Sequence, residues 1–242
     1  GMVGTEMVAK AAPDGYTILL SASPELVVNQ HVYRKMAYDT ERDLRAVTQL
    51  AMTPTIIVSI PSFPGKTIKD IIELARRHKG SLTYGTSGIG SPHHIVGELL
   101  RLRGKFDMIH VPYKGGGPQV SDTLGGHVIV SIFTLPVVTH HVQSGRLRGI
   151  AVCVPKRSPA VPDVPTMQEL GFPGFDFSQW WAVSVPRGTP DEIVRRLYGE
   201  FSEALKVPDI RKRQIEQGYE PIGSSPEVYA QYLKQEIDKY GK

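Results

Sequence analysis

Apolar positions along this chain follow two spacings, one typical of helices and one typical of buried strands. Residues 68–78 and 92–102 repeat apolar side chains at the spacing of one helix face. Residues 16–20 and 147–154 are short continuous apolar runs, which is the pattern of buried strands. Because strands and helices alternate along most of the chain, the pattern predicts an α/β fold with a mostly parallel sheet flanked by helices.

The same alternation predicts two lobes. Residues 54–180 contain enough strands for a sheet of their own and form lobe two. The segments 1–53 and 181–242 carry too few strands separately, so together they form a discontinuous lobe one. Within the apolar segment 44–60, Pro54 interrupts the strand pattern, and we expect a crossing between the lobes near it.

The stretch between a short strand at 82–84 and the helix at 92–102 is rich in glycine and hydroxyl residues. Ser91 suits the N-cap of that helix and Pro92 its first position. A glycine-rich strand-to-helix turn leaves backbone N–H groups unpaired, and the helix dipole adds partial positive charge in front of them. The turn therefore predicts a site for a small anion. The alternative is that the glycines only make a tight turn and the hydroxyls only cap the helix.

Composition and charge narrow the function classes. The chain has 242 residues and a net charge of +4, with Lys and Arg mixed among Asp and Glu, so nucleic acid is not an expected partner. The single cysteine, Cys153, lies in an apolar run and is expected to be a buried core residue. No apolar run approaches the length of a membrane helix, and the first residues lack the features of a signal peptide.

We expect no metal, no catalytic residue and no cofactor. His93 and His94 are adjacent on a helix and face different directions, so they cannot form an i, i+4 metal-binding pair. The sequence also lacks a nucleophile elbow and paired carboxylates near a glycine-rich turn. What remains is a set of neutral donors with an aromatic wall from Tyr113, Trp180 or Trp181, and such a set suits reversible binding of a carboxylate. Since the two tryptophans alternate along a strand, at most one of them lines the site.

Four separate motifs resemble one protein family. They are AAPDGYTILL at 11–20, YGTSGIGSPHH at 84–94, HVPYKGGGP at 110–118 and RSPAVPDVPT at 157–166. On these motifs the chain resembles the Bug/TctC family of extracytoplasmic solute receptors, and the likeness runs through essentially all 242 residues in one order. The resemblance implies a two-lobed periplasmic-binding-protein type II fold and a periplasmic location. It also implies delivery of a small carboxylate to the membrane subunits of a tripartite tricarboxylate transporter.

The resemblance further implies a ligand held mainly by main-chain amides, hydroxyls and water at loops from both lobes. Carried onto this chain and joined with the aromatic wall, the expected ligand-binding residues are Gly85, Thr86, Ser87, Gly88, Ser91, His93, Ser21, Ser23, Tyr113, Lys114, Gly115 and Trp180. Two departures from the family matter. Relatives have a strand, a helix and a strand, with a Pro-Gly-Gly loop, before the helix with which this chain begins, so we expect lobe one to lack that N-terminal strand-helix-strand. At 132–134 the chain has Ile-Phe-Thr where relatives often have Phe-Asp-Asn.

Two other functions agree less well with the sequence, and one assembly state follows from it. A small-molecule enzyme using the 85–91 loop as an oxyanion site would show turnover and a strongly perturbed His93, but no base accompanies the loop. The effector lobe of a transcription regulator would follow a basic helix-turn-helix segment, which the sequence lacks. The edge at 16–20 and apolar helix faces of lobe one would be uncovered, which predicts a homodimer through this incomplete lobe. Lack of the N-terminal strand-helix-strand could also impair ligand binding.

Overall fold

The computed structural model describes residues 1–78 and 80–241, which fall into two compact units. Unit one comprises residues 1–52, 179–214 and 220–242, and unit two comprises residues 53–178 and 215–219. The segment 215–219 lies with unit two and not with lobe one, where the sequence analysis places it. Two contacts with unit two explain this: the Thr139 hydroxyl donates to the Gln217 carbonyl over 2.9 Å, and Gly218 packs against Leu135.

Helices and strands alternate through the chain. In order they are α1 (Met2–Ala9), β1 (Leu19–Ala22), a π-helical turn (Pro24–Val28), α2 (Asn29–Val32), α3 (Thr40–Asp43), β2 (Leu44–Ser59), α4 (Ile68–Arg77), β3 (Thr83–Thr86), α5 (Pro92–Gly104), β4 (Ile109–Pro112), α6 (Gly116–Leu124), β5 (Val130–Thr134), α7 (Leu135–Gln143), β6 (Arg148–Val152), β7 (Ser178–Pro186), α8 (Asp191–Lys206), α9 (Pro208–Glu216), β8 (Glu220–Pro221) and α10 (Pro226–Tyr240). None of the helices in the described residues has the length and apolar character needed to span a membrane.

The sheet of unit two is mixed. Strand β3 runs parallel to β4, with Tyr84 opposite His110, and parallel to β5, with Tyr84 opposite Val130. The second part of β2 runs antiparallel to both β5 and β6. Four of these five strands, β3, β4, β5 and β6, therefore run in one direction, as the predicted mostly parallel sheet requires, and β2 runs against them. The parallel part is the one that presents the turns after β3 and β4 at the same edge.

The core of unit two lies under α4 and α5. Its fully buried side chains include Ile57 and Tyr84 from the strands and Ile71, Val96 and Leu100 from the helices. Cys153 belongs to the same core and is completely buried, so the prediction for this residue is confirmed. Burial in apolar surroundings raises the pKa of its thiol well above the ordinary value.

Unit one contains the antiparallel pair β1 and β7, in which Leu20 lies opposite Val183. Its core gathers Leu26 and Val27 from the π-helical turn, Trp180 from β7 and Tyr229 from α10. The strand predicted at 16–20 is wrong at its start, because β1 begins at Leu19 and Tyr16 is 93% exposed. The backbone N–H of Tyr16 instead donates to the Asp14 carboxylate over 3.0 Å, which is a turn-forming contact.

Strand β2 continues through Pro54 without a break, contrary to the prediction from sequence. The proline lies between Met52, which pairs with β8, and Thr55, which pairs with β5. A strand tolerates proline where its missing N–H is not needed for the ladder, and this change of partners provides such a position.

Candidate functional site

The loop after β3 takes a fixed path because two of its positions require glycine. This β3–α5 turn covers residues 85–91, which include the last two residues of β3. A Cβ on Gly85 would lie 2.7 Å from the Ser131 hydroxyl oxygen, so a side chain at this position would clash with Ser131. Gly88 has a φ of 143°, a backbone conformation that residues with side chains rarely adopt. These two residues thus shape the turn, in agreement with the glycine pattern.

Many polar groups of the β3–α5 turn are already paired within the turn or with its immediate neighbours. Thr86 is completely buried, and its hydroxyl oxygen accepts from the Gly88 N–H over 3.3 Å and lies 2.7 Å from His110 Nε2. The Gly90 N–H donates to His94 Nδ1 over 3.1 Å. Fewer backbone donors are therefore free than the glycine-rich sequence alone predicts.

Ser91 caps α5 as predicted, but its hydroxyl has no proton left for a ligand. Its oxygen accepts from the His94 N–H over 3.2 Å, and its proton is donated to the Gly88 carbonyl over 2.8 Å. Both contacts lie within the loop and hold the first turn of the helix. The geometry therefore makes Ser91 a structural cap, in place of the ligand donor expected from sequence.

Ser87 and His93 form a pair inside this turn. The Ser87 hydroxyl oxygen lies 2.9 Å from His93 Nδ1, and the imidazole is only 7% exposed. Its other nitrogen, Nε2, is buried and has no partner among the described residues. Burial lowers the pKa of His93 to about 4, because the charged imidazolium would lose its hydration there. His93 is consequently neutral at physiological pH.

A second turn lies beside the first, because β3 and β4 are parallel neighbours. This β4–α6 turn covers residues 113–115. The Tyr113 N–H donates to the Thr86 carbonyl over 2.9 Å, and the Gly115 N–H donates to the Ser87 carbonyl over 3.2 Å. The Tyr113 hydroxyl donates to Asp122 over 2.9 Å, and burial together with this carboxylate raises its pKa to about 12. These contacts bring Thr86, Ser87, Tyr113 and Gly115 together, as the sequence predicts.

Helix α6 starts at this join without a side-chain cap. Its N-cap is Gly115, with a φ of 105°, and the first residues of the helix are Gly116 and Gly117. No hydrogen bond is recorded for the N–H of Gly116 or Gly117 within the described part of the chain. Lys114 is exposed at the same place, and no ion pair is recorded for it among these residues. The start of α6 is therefore more open to an anion than the start of α5.

The remaining expected residues belong to unit one. Ser21 lies in β1 and Ser23 directly follows that strand, and both residues are buried. The Ser21 hydroxyl has no partner among the described residues. Ser23 accepts a long hydrogen bond of 3.5 Å from the Trp180 N–H. Trp180 is completely buried, and its indole N–H donates to Glu236 over 3.2 Å, so it is a core residue. The expected aromatic wall from Trp180 is thus not available, whereas Trp181 is partly exposed.

His110 also lies beside the β3–α5 turn, although it was not among the ligand-binding residues expected from sequence. Its ring stacks on His94, with centroids 4.1 Å apart, and on Tyr84 at 4.9 Å. Burial and the neighbouring His94 lower the pKa of His110, which favours the neutral form of the His110 ring. The residue lies in the HVPYKGGGP motif, but its role becomes visible only through the pairing of β3 with β4.

The site has the character of a binding site. No group of three or more His, Cys, Asp or Glu side chains that could hold a metal ion occurs in residues 1–78 and 80–241. Among the residues that the structure describes, the imidazole in contact with the Ser87 hydroxyl is that of the buried, neutral His93. Neutral donors, an open helix start and one lysine can hold an anion reversibly.

The comparisons with known proteins agree on one family. The family model described as "Tripartite tricarboxylate transporter family receptor" matches residues 1–242. Protein BugT of Bordetella pertussis is 34% identical over 241 residues, which cover 99% of this chain and 74% of that protein. A protein of the tcbD-tcbE intergenic region of Pseudomonas sp. strain P51 is 34% identical over 243 residues, covering 100% of this chain and 72% of the relative.

Solved structures give the same result. Rpa4515 of R. palustris with adipate superposes with a TM-score of 0.91 at 33% identity, covering 99% of this chain and 80% of that one. MatC of Rhodopseudomonas palustris with bound malate superposes with a TM-score of 0.86 at 29% identity, covering 99% and 83%. These similarities confirm the fold class and the resemblance drawn from the four motifs. They give no support to the alternative of an enzyme.

Proposed function

Because the chain belongs to the tripartite tricarboxylate transporter family of receptors, we propose that unit two binds a carboxylate group of a small organic acid at the β3–α5 and β4–α6 turns. Receptors of this family are periplasmic binding proteins that serve a membrane transporter, and the family is not one of enzymes. The similar structures that hold adipate and malate support a small dicarboxylate as the ligand class.

One observation carries the placement of the carboxylate. The two turns are tied together by the hydrogen bonds from Tyr113 and Gly115, and α6 begins beside this join with no side-chain cap. An uncapped helix start offers several N–H donors and partial positive charge, both of which favour an anion. Lys114 adds a full positive charge at the same turn. We therefore assign the Gly116 and Gly117 N–H groups and Lys114 to the carboxylate.

Ser87 is assigned as a further donor, with His93 orienting it. A neutral imidazole carries one proton, on Nδ1 or on Nε2. A buried N–H without an acceptor costs more than a buried nitrogen lone pair without a donor, so the unpartnered Nε2 favours the tautomer with the proton on Nδ1. In that tautomer His93 donates to the Ser87 oxygen over 2.9 Å. The Ser87 proton is then free to be donated to a carboxylate.

The other expected residues receive different roles in this proposal. Gly85 and Gly88 shape the turn, while Thr86 and Ser91 hold it from within. Ser21 and Ser23 belong to unit one and are not part of the carboxylate site proposed in unit two, although the Ser21 hydroxyl is buried without a partner in the described structure. Trp180 receives no role in binding.

Calorimetry with adipate, malate and related dicarboxylates tests the function. We expect Ser87→Ala to weaken binding about 2-fold to 10-fold, the effect of one net hydrogen bond. Lys114→Gln should weaken binding by about 10-fold or more, because a hydrogen bond from a charged donor is lost. The matched controls Ser62→Ala and Lys156→Gln change exposed residues elsewhere in unit two and should bind as the wild type does. If no carboxylate of the panel binds the wild-type chain, the proposed function is wrong.

We also propose that the protein forms a homodimer through unit one. Strand β1 lies at the end of the sheet, and Leu20 in it is 59% exposed. Helix α1 packs next to β1 and exposes Val3 and Met7. Exposed apolar groups beside a strand edge favour association with another chain. Light scattering that finds only monomer at micromolar concentration would contradict a homodimer.

A further inference from the structure

Positive charge is concentrated in one part of unit two. Residues 66–105 contain eight Lys and Arg against three Asp and Glu, a net charge of +5, whereas the whole chain carries +4. Much of this segment is α4 and α5; Lys69, Arg76 and Arg77 lie in α4, and Arg101 and Arg103 lie in the last turn of α5. Although Lys and Arg are mixed with Asp and Glu along the whole chain, this segment has an excess of positive charge. Its basic residues lie outside the proposed carboxylate site.

A cavity of about 390 Å³ lies where these two helices meet, and we name it the α4–α5 groove. Lys69, Ile72, Glu73 and Arg76 line it from α4, Arg103 lines it from α5, and Phe172 adds an aromatic side. The groove thus combines apolar carbon surface from an isoleucine and a phenylalanine with three cationic side chains.

The two arginines are held in place by backbone carbonyls. Arg76 donates to the Gly104 carbonyl over 2.5 Å. Arg103 donates to the Pro173 carbonyl and lies over the Phe175 ring, 5.3 Å from its centroid. A guanidinium has five N–H donors, so each arginine keeps donors for another partner. Orientation by the protein reduces the entropy that these side chains would lose on binding.

The acidic residue of the groove does not cancel this charge. Glu73 forms an ion pair with Arg77, which follows it by one helical turn. No ion pair is recorded for Lys69 in the described part of the chain, and its side chain is exposed. Lys69, Arg76 and Arg103 therefore leave a net positive charge around the apolar side chains of Ile72 and Phe172.

We propose that the α4–α5 groove is a docking site for an acidic peptide segment of a partner protein, with carboxylates on Lys69, Arg76 and Arg103 and an apolar side chain against Ile72 and Phe172. The proposal rests on the proposed receptor function in one respect, since delivery to a membrane transporter requires a protein partner. Charge complementarity of this kind accelerates association and selects the partner's orientation.

The position of the apolar residues favours a peptide over a lipid surface. Ile72 is 8% exposed and Phe172 is partly buried, so neither side chain projects far enough to enter a bilayer. Peripheral membrane binding combines basic charge with protruding apolar groups. A recess with fixed guanidinium groups instead suits carboxylates that are presented with an apolar side chain.

The test measures fluorescence polarisation of a labelled peptide, Glu-Glu-Leu-Glu-Glu, with the full chain at low salt. The double variant Lys69→Gln with Arg103→Gln should weaken binding at least about 10-fold. The matched double variant Lys156→Gln with Arg146→Gln removes the same net charge from exposed positions of unit two and should bind as the wild type does. Lys69→Glu serves as a second variant if loss of Arg103 unfolds the protein, and it too should weaken binding.

Three results would overturn the proposal. Equal weakening in both double variants would mean that only net charge matters. Equal binding of a peptide with Gln in place of each Glu would exclude recognition of carboxylates. Binding to phosphatidylglycerol vesicles without binding to the peptide would identify a membrane surface instead. Calorimetry of the same preparations with adipate and malate keeps the two hypotheses separate, because the carboxylate site and the groove share no residue.

Discussion

Acidification should destabilise unit two through His93. This imidazole is buried and neutral in the native protein, where its pKa is about 4, whereas an unfolded chain binds the proton near pH 6.5. Below pH 6.5 the unfolded state therefore gains a proton that the native state does not take up until about pH 4. The contribution of His93 to stability is intact above pH 6.5 and is lost progressively as the pH falls through this window.

The magnitude follows from the width of that window. Each unit of pKa difference corresponds to about 1.4 kcal/mol, so the full window is worth about 3 kcal/mol and the loss by pH 5 is about 2 kcal/mol. His93→Asn removes the titration and places an amide nitrogen where it can still donate to Ser87. The variant is expected to be less stable than the wild type at pH 7, because it leaves space in the core, but flatter in its pH dependence.

The assay is urea unfolding followed by far-ultraviolet circular dichroism at several pH values between 7 and 5. Tryptophan fluorescence is unsuitable, because Trp180 and Trp181 both belong to unit one. The control His78→Asn changes an exposed histidine of unit two and should keep the wild-type slope. Other histidines whose pKa is lowered by burial, such as His110, are present in every variant and cancel in the comparison. Parallel slopes for wild type and His93→Asn would refute this reasoning.

Two further predictions concern α5. Ser91→Ala should lower the free energy of unfolding by about 1 kcal/mol through loss of the N-cap, and Ser91→Asp should retain most of it; an unchanged urea midpoint for the alanine variant would contradict the capping role. Gly97→Ala should cost about 1–3 kcal/mol in the same measurement, because its Cβ would lie 2.2 Å from the ring of the buried Tyr84. The matched change Gly199→Ala in α8 has free space and should stabilise by up to about 1 kcal/mol, so an equal effect of the two alanines would argue against overpacking.

Local patterns in the sequence predicted the elements around the site well. Ser91 followed by Pro92 predicted where α5 begins, and the structure has the helix at Pro92–Gly104 with the serine as its cap. The apolar run around Cys153 predicted its burial. These features depend on contacts within one turn or on the solvent exposure of one segment, which neighbouring residues largely determine.

Long-range contacts decided the rest. The sequence by itself determined the family and the turn after β3, but it could not show that the hydroxyls of Thr86 and Ser91 are used inside that turn. Only the pairing of β3 with β4 brings Gly115 to Ser87 and places the uncapped start of α6 beside the β3–α5 turn. Likewise, only packing decides that Trp180 lies in a core against α10, since alternation along a strand does not say which face is buried. Strand pairing and packing join residues that are far apart in sequence, so local patterns do not reveal which polar groups are already hydrogen-bonded in the folded chain.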